Sequence, residues 1–152
     1  MISQPHLSRP SPLQWGLSIV AALNCFVVVT VFAFNNTPDF PQGLLSFWPF
    51  PMIYFMEIIS IGIIGLIATI KAQQEGKSNW PAALWISSGI LLTFVILGSW
   101  TIGFFLFPAL VCYLILGINI DRKIGGDIPR QLVIFVIAGI CQAVLVLVTF
   151  FG

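Results

Sequence analysis

One acidic side chain inside an apolar stretch is the residue of this sequence best placed for chemistry within a membrane. Glu57 lies in the apolar stretch 50–70, and no other acidic or basic residue lies inside such a stretch. An ionised carboxylate at the centre of a spanning helix costs about 2.5–3.5 kcal/mol on insertion scales, so such residues usually face the protein interior. With a rise of 1.5 Å per residue, Glu57 should lie about 10 Å from the start of its helix.

Four other polar side chains are predicted to lie near Glu57. Asn24 and Gln142 fall at a similar depth in the first and last apolar stretches, and Tyr54 and Ser60 lie one turn to either side of Glu57. These five residues are our candidate intramembrane polar cluster. In one interpretation the cluster hydrogen-bonds helices together, at about 0.6 to 2 kcal/mol for each bond. In the other, Glu57 binds a proton, an ion or a cationic substrate.

Residue patterns for other chemistry are absent from the sequence. The one histidine, His6, lies in the polar N-terminal tail, which excludes bis-histidine haem ligation by this chain alone. Cys25, Cys112 and Cys141 fall in apolar stretches without a CxxC pair, as expected of free thiols. The sequence has no HExxH, GxSxG, P-loop or zinc-spaced cluster. We therefore predict no catalytic residue, no metal site, no cofactor and no enzymatic activity.

The composition is that of an integral membrane protein. Of the 152 residues, 59% are hydrophobic and 7% are charged, whereas soluble domains carry about 25% charged residues. The net charge of +1 and the scattered basic residues exclude a nucleic-acid partner. We expect residues 1–152 to form a single membrane domain surrounded by membrane lipid.

The apolar stretches predict an all-α, polytopic integral membrane protein, a small bundle of five transmembrane helices. The predicted spans are about 13–34, 50–70, 80–97, 103–120 and 131–151. A single helix over 80–120 would be about 60 Å long, twice the hydrocarbon thickness. We divide it at Gly98–Gly103, where turn residues occur, and expect Pro108 to kink the fourth helix. Gly62, Gly65 and Gly139 mark places where helices can approach closely.

The distribution of charge predicts the orientation. With five spans all basic residues fall on one side and the opposite loops contain none; they are Arg9, Lys71, Lys77, Arg122, Lys123 and Arg130. The positive-inside rule then places the N-terminus in the cytoplasm and the C-terminus outside. Trp15 and Trp80 would lie at the inner interface, and Trp48 and Trp100 at the outer one.

Small size and aromatic-rich spans favour an accessory or assembly subunit of a larger membrane complex, which binds other membrane subunits through its apolar faces. The alternative is a small proton, ion or solute carrier that uses Glu57. A carrier would have to oligomerise, because five spans do not divide into the related halves of many transporters. A lipid-modifying enzyme is a third possibility but lacks a nucleophile–base pair. We expect a bacterial plasma membrane, with an organellar membrane as the alternative.

Overall fold

The computed structural model describes residues 11–35, 50–74, 79–99 and 102–151. These residues form five α-helices and no strand: α1 (Pro12–Asn35), α2 (Phe50–Gln74), α3 (Trp80–Leu97), α4 (Gly103–Ile124) and α5 (Ile128–Phe151). All five are long and apolar enough to cross a membrane. The predicted helices are confirmed, including the division of 80–120 into two. Trp48 and Trp100 lie outside the described residues.

The start of α1 has a reciprocal capping arrangement. The Ser11 backbone N–H donates to Gln14 Oε1 at 3.1 Å, and the Gln14 N–H donates to Ser11 Oγ at 3.4 Å. Pro12 takes the first helical position, where its missing N–H has no intrahelical partner to lose. The sequence Ser-Pro-Leu-Gln thus fixes the start of α1 locally through a capping box.

The turn between α4 and α5 is shorter than predicted. We expected a loop over 121–130, but α4 continues through Asp121 to Ile124 and ends at Gly125, which has a left-handed φ of 72°. Glycine adopts that conformation at little cost, which makes it a common residue just after a helix. α5 begins at Ile128. Pro129 then lies in the first turn of this helix, where proline is tolerated. The placement of Asp121 in a loop was therefore wrong.

Helices α1 to α4 pack as a four-helix ring, with each helix against the next and α4 against α1. The fifth helix lies outside this ring and packs mainly against α3. Fully buried apolar side chains fill the centre of the ring, among them Ile58, Leu84, Leu91, Leu106, Tyr113 and Leu116. Pro108 lies within α4 and is exposed.

Two glycines of α2 lie against other helices, and at Gly65 the predicted close approach leaves no room for a side chain. A Cβ atom on Gly62 would lie 3.4 Å from Cys25 Cβ of α1, and one on Gly65 would overlap the ring of Tyr113. The Tyr113 hydroxyl donates to the Gly62 carbonyl oxygen at 3.1 Å. This bond ties α2 to α4 across the ring, where these two helices otherwise have little contact.

Candidate functional site

Glu57 and Gln142 meet between α2 and α5. Gln142 Nε2 donates to Glu57 Oε2 at 3.0 Å. The Gln142 side chain is 5% exposed, whereas Glu57 is half-buried. With a rise of 1.5 Å per residue, Glu57 lies about 10 Å from the start of α2 and Gln142 about 13 Å from the end of α5. The acid and the amide therefore lie in the same half of the bundle.

Glu57 lies at the edge of the exposed side of α2. Ile53, Ser60 and Ile64, which occupy the same ridge at helical spacing, are all exposed, with Ile53 at 48% and Ile64 at 45%. The Ser60 hydroxyl donates to the Met56 carbonyl oxygen of its own helix at 2.7 Å. Glu57 is thus open on one side and bonded to Gln142 on the other.

Tyr54 and Asn24 have different surroundings. The Tyr54 ring packs edge-on against Phe94 of α3, with ring centroids 5.8 Å apart. Asn24 of α1 is partly buried. Its Oδ1 atom is buried and has no hydrogen-bond partner among the described residues.

A second buried acid, which the sequence analysis missed, lies at the opposite end of the bundle. Trp85 Nε1 donates to Asp121 Oδ2 at 2.6 Å; the two side chains are 3% and 1% exposed. The indole ring also lies against Gly117, and the Gly126 N–H donates to the Asp121 carbonyl oxygen at 2.9 Å. In the sequence, the Gly125–Gly126 pair could have indicated that Asp121 is helical, because a glycine just after a helix implies that the preceding residues belong to that helix.

Two further hydrogen bonds show which helix ends lie together. Lys123 Nζ of α4 donates to Gln14 Oε1 of α1 at 3.3 Å, and Ser18 Oγ of α1 donates to Thr69 Oγ1 of α2 at 3.2 Å. The start of α1 therefore lies beside the ends of α2 and α4. This end of the bundle carries the described basic residues, namely Lys71, Arg122, Lys123 and Arg130.

α5 is held against α3 by a close glycine contact. A Cβ atom on Gly89 would overlap the Phe135 carbonyl oxygen, and one on Gly139 would lie 3.2 Å from the Gly89 carbonyl oxygen. The Thr93 hydroxyl donates to the Gly139 carbonyl oxygen at 2.8 Å. The predicted close approach at Gly139 is confirmed. Beside this contact lies an apolar groove of about 260 Å³, lined by residues that include Ile96 and Ile140.

The described residues contain no group of three or more His, Cys, Asp or Glu side chains that could hold a metal ion. No protein-family model matches the chain, and no curated protein or solved structure is significantly similar to it. The helix packing and the polar contacts described above are therefore the basis for any functional interpretation.

Proposed function

We propose that this protein is a small accessory or assembly subunit of a larger integral membrane protein complex. It would bind the helices of other membrane subunits through its apolar faces and carry out no catalysis of its own. The observation that carries the proposal is the position of α5 outside the four-helix ring.

α5 adds almost nothing to the chain's own core. Of its most apolar 18-residue window 6% is buried, against 33–50% for the other four helices. Among the described side chains, none of the hydrophobic core residues comes from α5. A spanning helix that buries so few of its own side chains is best explained by contacts with another chain.

The filled centre of the ring supports the same proposal. Leu84, Leu91 and Leu106 are each 0% exposed and lie in one apolar core cluster. A polar solute crossing a single copy through the ring would have to displace such side chains and would meet an apolar lining. A role in binding other helices needs no such path.

The position of the basic residues supports the proposed orientation. We propose a cytoplasmic N-terminus and an external C-terminus, because Lys71, Arg122, Lys123 and Arg130 share one end of the bundle and cytoplasmic loops are enriched in Lys and Arg. We place the protein in a bacterial plasma membrane.

Native mass spectrometry after mild extraction through a C-terminal tag tests the proposal. We expect stoichiometric recovery of at least one other membrane protein. The Leu145→Trp substitution, on the exposed side of α5 (61% exposed), should reduce that recovery. The matched control is Leu23→Trp on α1 (57% exposed), which should not. A monomer or a homo-oligomer as the sole species would contradict the proposal.

The exposed ridge around Glu57 favours one second candidate, an oligomeric proton, ion or solute carrier. A carboxyl group that is open on one side of its helix could face a pathway between copies of the chain. In that case liposomes containing the purified homo-oligomer should show ion or proton flux, and Glu57→Gln should abolish it. Full flux with Gln at this position would eliminate the carrier.

A further inference from the structure

We infer that the cleft between α2 and α5 at Glu57 receives a transmembrane helix of a partner subunit, and that this helix carries a lysine or arginine at the depth of Glu57. The inference rests on the proposed accessory role and names the chemistry of the partner. We define the Glu57 cleft by Ile53, Glu57 and Ser60 of α2 and by Gln142 and Leu145 of α5.

The packing of α2 and α5 creates this cleft. Both helices pack against α3, but they have little contact with each other. The hydrogen bond from Gln142 to Glu57 bridges the gap between them. On either side of the bridge the walls are open, since Ile53 is 48% and Leu145 is 61% exposed.

The charge of Glu57 is not balanced within the described chain. Gln142 supplies one neutral N–H to a carboxylate group that can accept several hydrogen bonds. Lys71 of the same helix lies fourteen residues further on, about 21 Å away along the axis. Arg122 and Lys123 lie at the opposite end of the bundle. Because acids within the membrane usually pair with an opposite charge, the balancing cation would come from another chain.

The depth of Glu57 requires that the partner segment is helical. Backbone N–H and C=O groups within the hydrocarbon must be bonded inside their own segment, which a helix achieves. The small side chain of Ser60, one turn from Glu57, lets a partner backbone approach closely. Its hydroxyl already donates to the Met56 carbonyl oxygen and needs no hydrogen-bond acceptor from the partner helix.

The test compares recovery of the partner with the wild-type chain and with Glu57→Gln. Glutamine retains the size of the side chain and an oxygen that can accept from Gln142, but it removes the charge. We expect recovery to fall about tenfold or more, as when one member of a buried charge pair is removed. The matched control is Asp127→Asn, which makes the same change from acid to amide at an exposed position outside the cleft, between α4 and α5, and should leave recovery unchanged.

Cross-linking identifies the contacting residue. With a photoreactive phenylalanine analogue at position 53, we expect cross-links to an apolar partner segment that contains a Lys or Arg. Changing that residue to Glu should restore assembly with the Glu57→Lys chain. Unchanged recovery of an identified partner by Glu57→Gln, or a cross-linked segment without a basic residue, would overturn the inference and leave the accessory role intact. Absence of any partner in the wild type would instead refute the accessory role itself.

Discussion

At the scale of single residues, two acids of the described helices have different surroundings. Asp121 is enclosed, with a short hydrogen bond from the Trp85 indole and 1% exposure. Glu57 is half-buried on an open ridge and bonded to an amide. A buried polar group that is hydrogen-bonded within its own chain stabilises the fold. A partly exposed acid at the depth of the hydrocarbon is a better candidate for contact with another molecule.

Removal of the indole donor should destabilise the fold. In Trp85→Phe the Asp121 carboxyl loses its partner in a buried site, at a cost of about 1–3 kcal/mol. The melting temperature in detergent should therefore fall clearly. Trp15→Phe is the control, because Trp15 is 38% exposed and its loss should change little. Equal melting temperatures for the two variants would show that the Trp85–Asp121 bond does not stabilise the protein.

At the scale of helices, glycine positions decide which pairs pack closely. Gly89 and Gly139 bring α3 and α5 together, and Gly62 lies against Cys25 of α1. In a membrane the lipid is as apolar as the side chains, so association depends on shape and hydrogen bonds rather than on hydrophobic burial. The helix with least burial, α5, therefore depends strongly on its one glycine contact and on the Thr93 hydroxyl.

A methyl group at Gly89 should loosen α5. Gly89→Ala places a Cβ atom against the Phe135 carbonyl oxygen, and such overpacking typically costs about 1–3 kcal/mol. A Cβ atom on Gly16 of α1 has nothing within 4 Å, so Gly16→Ala is the matched control. The free energy of unfolding of Gly16→Ala should rise by up to about 1 kcal/mol, because alanine has a higher helix propensity than glycine. A thermal melt in detergent that shows Gly89→Ala as stable as Gly16→Ala would contradict this packing.

At the scale of the whole molecule, five spanning helices place the end of α3 at Leu97 and the end of α4 at Ile124 at opposite ends of the bundle. Hydrogen bonds at the basic end and the ring contact between Phe32 and Phe105 near the other end agree with this arrangement. The bundle can then lie in the membrane in only two orientations, with its basic end either in the cytoplasm or outside. The basic residues predict which one is taken.

Cysteine labelling tests that orientation. With the three natural cysteines replaced by alanine, the Ser99→Cys variant should react with an impermeant maleimide in intact cells. The Asp127→Cys variant should react only after permeabilisation; both positions are exposed. Labelling of both from the same side would refute five spans, and the reverse pattern would invert the proposed orientation.

The number and division of the helices followed from the sequence, because a span is a local property. It needs enough apolar residues to cross the hydrocarbon, and turn residues at Gly98 and Gly103 interrupt one that is too long. The depth of Glu57 followed in the same way from its distance to the start of its helix. The end of α4 was misjudged because Asp121 was assigned to a loop, although the glycine pair after it marks a helix end.

Only the tertiary structure decided which helices are neighbours. Helices that are apolar on every side do not show from sequence which face is buried. Depth alone therefore gave both Asn24 and Gln142 as partners of Glu57, while packing joins Gln142 to Glu57 and leaves the Asn24 Oδ1 atom without a hydrogen-bond partner among the described residues. The ring of α1 to α4 and the outer position of α5 depend on how small and large side chains fit between helices, which the pattern of apolar residues does not encode.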